Sequence, residues 1–376
     1  MPNGPNQPSK TKTDTKTKTN KPSIVNVAVA VIHHGDKYLL GFRDATQHQG
    51  NRYEFVGGKI EASESAEQAL VREVAEETGI LMDSNTIVKL GRLHHDYGDK
   101  QVSLQVYKIE LTAEQYEQHK HHEQGLEGQA LTWVSQSQLL AGAYHLPAAN
   151  KTILDWLRLP STIAITYPLA YFSAHTDAAM AWRQYHQEHI ASESWVYIRL
   201  QHSDSEHLAD QLMTARPDIL AILPYDNEQQ PSNIENLPTT HDVKIGQQIV
   251  AKHLTHSVLI QCCEDIENLP ASVQLLPSDY PLIVSCHDVA SIMAANKLAR
   301  MRIQRALPPV IGAFLSPVLA TKTHPDTPPL GWEVWSALAE LADMPVIGLG
   351  GLEPVMLNQA LQYGGISVAG IRQFIS

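Results

Sequence analysis

Apolar positions in the first half of the chain follow two rhythms. From Ser23 they alternate, or cluster in short runs, and predict strands at Ile24 to Val31, Tyr38 to Phe42, Tyr53 to Val56, Ile87 to His94, Val102 to Leu111 and Ala130 to Val134. A turn is predicted at His34-Gly35-Asp36. Between Ile60 and Ile80 the rhythm changes to a helical one. Leu70 and Val74 recur one turn apart, Ser65 and Gln68 form a capping box, and Gly79 stands where a C′ residue ends a helix, so the helix is expected over Ala66 to Thr78. A last helix is expected near Asn150 to Arg158, and the whole unit reads as α+β.

Beyond Leu159-Pro160-Ser161 the pattern changes again. Short apolar runs lie at Ala164 to Leu169, Trp195 to Leu200, Ser257 to Gln261, Val273 to Leu276, Leu282 to Cys286, Ala313 to Pro317, Val346 to Leu349 and Ser367 to Ile371, with helical patterns between many of them. That alternation predicts an α/β unit, a parallel (β/α)8 barrel of TIM type. Ile219 to Tyr225 and its Asn/Gln/Pro-rich sequel fit no unit and read as an insertion or a degenerate repeat. The expected organisation is a tail over 1–22, a first domain over 23–160 and a barrel over 161–376. Rich in Pro, Asn, Thr and Lys, the tail buries too little surface to offset its ordering entropy and is expected to be disordered.

Composition narrows the function classes. At 376 residues and 43% hydrophobic, the chain can fill two cores. A formal net charge of -12 argues against a surface that tracks a nucleic-acid polymer, and leaves open a nucleotide monomer chelated by a cation. Cys262, Cys263 and Cys286 form no C-x-x-C pair, so neither a disulfide framework nor a zinc site is expected and a reducing cytoplasm fits. No apolar run approaches the roughly 18 residues of a membrane span, and no membrane partner is expected. His94, His95, His119, His121 and His122 match no defined metal spacing and read as solvated loop.

The predicted helix over Ala66 to Thr78 carries the chemistry. On a helical wheel Glu77 falls about 20° and Glu73 about 60° from Leu70, so both acids border the apolar face. Glu76 and Glu77 also occupy the last turn, where the helix dipole disfavours negative charge, and Glu73 and Glu77 repel at i, i+4. A divalent cation would relieve all three penalties; a solvated acidic helix end beside Arg72 is the alternative.

Gly58, Glu64, Arg72, Glu73, Val74, Glu76, Glu77, Gly79 and Ile80 fill every fixed position of the pattern G-x5-E-x7-R-E-U-x-E-E-x-G-U, where U is bulky and aliphatic. On these residues the first half resembles the Nudix family and, over Val27 to Leu157, its MutT-type 8-oxo-dGTP diphosphatases. The resemblance implies a mixed sheet between helices and a magnesium-dependent hydrolase, with manganese as the alternative ion. Its reaction would turn 8-oxo-dGTP, and dGTP more weakly, into the monophosphate and pyrophosphate, keeping a mutagenic precursor out of DNA replication. The Gly57 carbonyl, Glu73, Glu76, Glu77 and Glu127 are the implied metal ligands, with Glu73 as base or second-metal ligand, Arg72 as orienter and Lys59 on phosphate.

Glu54-Phe55-Val56-Gly57-Gly58-Lys59 is close to the start of that subfamily's EFPGGKIE, with Val56 where proline is usual. Arg43 and His48 match positions that contact phosphate and sugar, and Leu146 to Asn150 match a segment whose asparagine reads the oxidised base. An asparagine amide suits that purine edge because it offers a donor and an acceptor together, and Phe55 would support the ring. From the residues alone Asn150 is equally an N-cap of the last helix. Other Nudix substrates, ADP-ribose or a dinucleoside polyphosphate, stay open.

In the second half, Ser285-Cys286-His287, Ser316 to Thr323, Gly348 to Gly351 and Ser367 to Ile371 follow one another in the order and spacing of the thiamine-phosphate synthase family. The resemblance spans 164–374 and implies a phosphate pocket of Ser285, Thr321, Gly350 and Gly351 at the C-terminal ends of the strands, with Arg199 matching an early Gln-x-Arg. Two departures stand out. Gln261-Cys262 occupies the place read as that family's Asn-Asp after the third strand, leaving Asp279 as the later acid, and His324 replaces a lysine. The expectation is a module for a thiamine-related phosphate ligand without synthase turnover; a bifunctional enzyme is the alternative.

Overall fold

A computed structural model describes residues 24–46, 50–82, 85–98, 100–200, 205–225, 246–268, 278–321 and 327–375. The predicted tail 1–22, His48, His324 and the predicted strand Val273 to Leu276 lie outside the described residues.

The first half is a seven-stranded mixed sheet. Its centre is β1 (Ile24–His34), paired in parallel with β6 (Gln101–Glu110) and antiparallel with β2 (Lys37–Arg43) and β4 (Val56–Lys59). β3 (Arg52–Glu54) and β7 (Ala130–Ser135) pair with β2, and β5 (Ile87–Asp96) closes the other edge against β6. Residues of β1 alternate between two cores, as strand geometry requires. Ala28, Ala30 and Ile32 pack with Leu70 and Val74 of helix α1 (Ala66–Thr78). Val29 and Val31 join the core of Ile153 and Trp156 on the helix we call α4 (Asn150–Trp156), after α2 (Ala113–His119) and α3 (Gln136–Leu140). The sheet therefore lies between helices. α1 begins at its capping box, Gln68 N–H to Ser65 Oγ at 3.2 Å and Ser65 N–H to Gln68 Oε1 at 2.8 Å, and ends at Gly79 in the left-handed region at φ 76°.

The second half closes into a parallel eight-stranded barrel. Its strands are β8 (Thr162–Ile165), β9 (Trp195–Tyr197), β10 (Leu220–Pro224), β11 (Ile249–Leu254), β12 (Leu282–Cys286), β13 (Val310–Leu315), β14 (Val346–Leu349) and β15 (Ser367–Gly370). The strand assignment corrects the sequence reading in three places. The segment around Ile219 to Tyr225 is the third barrel strand, not an insertion. A fourth strand at Ile249–Leu254 went unrecognised, because Lys252 and the buried His253 interrupt its apolar run. Ser257 to Gln261 is helical, within His256–Asn268, where its apolar residues form the buried face around Leu259. Gln261 and Cys262 therefore do not follow the third strand.

The sheet unit sits on the N-terminal ends of the barrel strands. The indole Nε1 of Trp156 donates to the carbonyl of Val310, the first residue of β13, at 3.1 Å, and the Arg92 N–H donates to the carbonyl of Asp343, just before β14, at 3.2 Å. Lys89 donates to the Glu340 carbonyl and meets its carboxylate at 3.2 Å. One hydrophobic core runs from Val31 through Trp156 to Ile163 and Ile347 inside the barrel. The opposite, C-terminal end of the barrel carries Gly350 and Gly351. No described helix is long and apolar enough to cross a membrane.

Candidate functional site

β4 pairs with β1 in the register Ala28↔Gly58 and Val29↔Gly57, and the Glu73 side chain of α1 lies against Gly58. Gly57 leaves no room for a side chain, and at Gly58 one would displace the Glu73 carboxyl group. A Cβ on Gly57, at φ 150°, would strike the Ala28 carbonyl, and one on Gly58 would lie closer than 3.0 Å to the Glu73 carboxyl carbon and both its oxygens. The backbone thus lies directly on the acidic edge of α1.

Arg72 organises part of that edge. Its Nε and Nη2 form a fork on Glu64 at 3.2 and 2.7 Å, its Nη1 donates to Glu73 Oε1 and Glu76 Oε2 at 2.9 Å each, and Nη2 also reaches the Lys59 carbonyl at 3.1 Å. Hydrogen bonds to Glu64, then to Glu73, hold the Arg72 pKa well above its ordinary value. Lys59 itself is exposed.

Glu77 is partly buried. Burial first, then the carboxylates of Glu54, Glu73 and Glu127, push its pKa from 4.5 up to about 8, against a hydrogen bond from the Gly57 N–H. Glu127 comes to this place on a loop docked to the end of α1: the Leu126 N–H donates to the Glu77 carbonyl at 2.8 Å, and Gln129 Nε2 donates to the same oxygen at 3.3 Å. Glu54 pairs with Arg43, yet burial raises its pKa as well.

Glu73 and Glu76 pair with Arg72, Glu77 lies in the field of Glu54, Glu73 and Glu127, and among the described residues no three His, Cys, Asp or Glu side chains are gathered to hold an ion. The donor set still fits a hard divalent cation, being all oxygen and including a partly buried carboxylate whose charged form is disfavoured by three neighbouring acids.

Phe55 and Val56 are buried beneath the site, Phe55 in the α4 core and Val56 in the α1 core. Asn150 is the first residue of α4, and its side chain makes no capping bond; the capping position belongs to Ala149, itself in helical conformation. The N-cap alternative for Asn150 is thus not what the structure contains. Tyr97, which the sequence reading missed, accepts a hydrogen bond from the Ala149 backbone and lies in the field of Arg43, Arg52 and Glu54. A tyrosine just after a strand, in an Asp-Tyr-Gly turn, is the signal in the sequence.

Residues 27–156 match the family model described as NUDIX domain. Over 135 residues the chain is 30% identical to the 8-oxo-dGTP diphosphatase of Escherichia coli K12, covering 36% of this chain and 96% of that protein. The chain belongs to the Nudix family. A second relative of the Nudix half, the CTP pyrophosphohydrolase of Escherichia coli K12, is 35% identical over 133 residues, 35% of this chain and 90% of the relative. A solved MutT structure from work on Aliivibrio salmonicida and Vibrio cholerae is 28% identical, covers 35% of this chain and 94% of that one, and matches with a TM-score of 0.27. The Nudix half is fused to a barrel whose residues 263–374 match the family model described as thiamine monophosphate synthase.

At the C-terminal end of that barrel the structure brings three of the four expected pocket residues together. The loop after β13 docks on the loop after β14, with Leu319 N–H donating to the Gly350 carbonyl at 3.0 Å, and a Cβ on Gly351 would strike the carbonyl of Ala320, next to Thr321. Ser285 is engaged elsewhere: its hydroxyl hydrogen bonds with His253 Nε2 at 2.8 Å, and His253 Nδ1 hydrogen bonds with the Tyr197 hydroxyl at 2.8 Å. Full burial holds the His253 pKa down at about 3, so the imidazole is neutral. Arg199 uses its backbone N–H on Thr166 Oγ1 at 2.9 Å. Asp279 is exposed.

Proposed function

We propose that the Nudix domain, 23–160, is a magnesium-dependent pyrophosphohydrolase acting on 8-oxo-dGTP, and on dGTP more weakly, to yield the monophosphate and pyrophosphate. The observation that carries this reading is Glu77, set among Glu54, Glu73 and Glu127 against the Gly57-Gly58 backbone. Magnesium, when bound by the Gly57 carbonyl, Glu76, Glu77 and Glu127, would neutralise and orient the phosphates. Water attacks phosphorus in line, and Glu73 takes its proton, held by Arg72 at 2.9 Å. Lys59 and Arg43 face phosphate charge, His48 the sugar, and Asn150 the base edge through its donor and acceptor.

A second reading concerns the base: the CTP-hydrolysing relative, at 35% identity, favours a pyrimidine triphosphate. The purified protein with magnesium, offered 8-oxo-dGTP, dGTP, CTP, ADP-ribose and a dinucleoside polyphosphate, separates these readings by kcat/KM. A preference for CTP or ADP-ribose sinks the 8-oxo-dGTP assignment.

For the barrel, 161–376, the reading is a phosphate-ligand module using Gly350, Gly351 and Thr321, with a thiamine-related phosphate as the ligand. Synthase turnover is the rival, and one feature supports it: after the third strand the sequence reads Tyr225-Asp226-Asn227, an acid and an amide in the reverse order of that family's Asn-Asp, outside the described residues. Full-length protein given both thiamine precursors and magnesium decides. Thiamine phosphate formed at an enzymatic rate establishes the rival.

A further inference from the structure

Helix α4 has seven residues, and its two ends do different things. Asn150 begins it at the nucleotide site. Trp156 ends it, about 9 Å further along the axis at 1.5 Å per residue, with its indole fully buried and bonded to the Val310 carbonyl of the barrel. Two turns of helix are too short to hold themselves in place, so the position of Asn150 is set by what the helix is tied to. At its first end the tie is Tyr97, which receives the Ala149 N–H, and its middle is packed through Ile153 in the sheet core. Its last residue is tied to the barrel.

Tyr97 leads back to the barrel as well. It follows β5, whose Lys89 and Arg92 bond to Glu340 and to the Asp343 carbonyl. Where β5 is irregular, Gly91 lies against Trp156: a Cβ there would come within 2.8 Å of the indole and 2.7 Å of the Asp343 carbonyl. The barrel therefore grips the helix that carries Asn150 and the strand that leads to Tyr97.

We propose that the barrel fixes the base selectivity of the hydrolase, with Trp156 a positioning residue that holds Asn150 through its hydrogen bond to Val310. The proposal rests on Asn150 as the residue that reads the base. A displacement of about 1 Å at a recognition group far from the chemistry is enough to cost binding selectivity without touching Glu73 or Glu77. The phosphates are held from β4 and α1, which the seam does not contact in this way, so turnover of a weakly discriminated nucleotide is independent of it.

The test compares full-length variants by kcat/KM for 8-oxo-dGTP and dGTP. Trp156→Phe keeps the ring and loses the donor. It is expected to lower the 8-oxo-dGTP to dGTP ratio about tenfold, through a higher KM for the oxidised nucleotide, with kcat on dGTP unchanged within twofold. Trp335→Phe is the control, since that buried indole donates to the Leu315 carbonyl at the other end of the same strand, 3.0 Å away, and lies wholly within the barrel. It should lower stability and leave the ratio alone. An equal fall in both variants, or an unchanged ratio in Trp156→Phe, overturns the proposal. Asn150→Ala separates the premise: if that change leaves the ratio untouched, base reading by Asn150 fails; if it collapses the ratio while Trp156→Phe does not, only the barrel's role fails. Should Trp156→Phe not fold, Lys89→Met, which cuts one of the two β5 ties and leaves Trp156 in place, is expected to lower the ratio about threefold, and an unchanged ratio there overturns the proposal.

Discussion

Replacing Gly58 by alanine tests the most exacting piece of geometry in the molecule. Gly58 does not have a positive φ, so alanine costs the backbone little. The conflict is with the Glu73 carboxyl group, which would have to retreat by about 1 Å or more to regain ordinary contact with the new methyl. Retreat strains the Arg72 Nη1 bond that Glu73 shares with Glu76. A misplacement of that size costs on the order of 10²-fold in rate. The expected result in a pyrophosphate-release assay with 8-oxo-dGTP and magnesium is a kcat about 10²-fold lower, with the protein still folded, because the far end of a flexible side chain yields before the sheet does. Glu73→Gln alone should lose about 10²- to 10⁴-fold. Because both changes act through one carboxylate, the double variant should be no slower than Glu73→Gln. A Gly58→Ala kcat within threefold of the parent, or losses that multiply in the double variant, refutes the placement of Glu73 as the base.

Three further outcomes are expected. Asn150→Ala should reduce discrimination between 8-oxo-dGTP and dGTP by roughly 1–3 kcal/mol, read from the ratio of kcat/KM, and an unchanged ratio removes it from base reading. Glu77 has a folded-state pKa of about 8, above its ordinary 4.5, so the metal-free fold holds a proton that the unfolded chain has lost and its stability falls as pH rises through that window. Added magnesium should therefore raise the melting temperature more near pH 8 than near pH 6, and an equal shift at both pH values contradicts the assignment of Glu77 as a ligand. Tyr97→Phe removes the oxygen that accepts the Ala149 N–H and should raise KM for 8-oxo-dGTP several-fold with kcat preserved; a pure kcat loss in steady-state assays argues instead for a part in the chemistry.

Local signals carried the Nudix half well. α1 was legible to the residue because a capping box and a left-handed glycine are local facts, written within a few positions of each helix end. The acids of α1 were legible too, since their spacing violates the dipole and the apolar face at once. Asn150 was less so: the capping position falls on Ala149 in helical conformation, a choice no capping preference would make, and the helix is held instead by long-range bonds at both ends. In the barrel, apolarity misled where burial is one-sided. Ser257 to Gln261 is apolar enough for a strand, yet it lies in a helix with a moderately apolar face, while β11 places His253 in the barrel interior and hides its strand character.

That buried histidine also shows why the barrel strands could not all be found by hydrophobic pattern. A neutral imidazole joined to Tyr197 and Ser285 costs little to bury because both ring nitrogens are satisfied, one by each partner at 2.8 Å. Removing one partner leaves a buried polar atom and costs about 1–3 kcal/mol. Tyr197→Phe should therefore destabilise the barrel by that amount in chemical denaturation, and His253→Leu, which removes the polar centre but leaves Ser285 and the Tyr197 hydroxyl unpaired, should cost at least as much. If His253→Leu were instead neutral, water or alternative bonds would have to serve those hydroxyls, and the relay would be incidental to the fold. Tyr197 shares with Ile163, Ile347 and Trp156 a core that Trp335 does not belong to, so loosening it should also loosen α4, and the same variants are expected to lower the protection of the α4 amides in hydrogen exchange while leaving those of α1 unchanged.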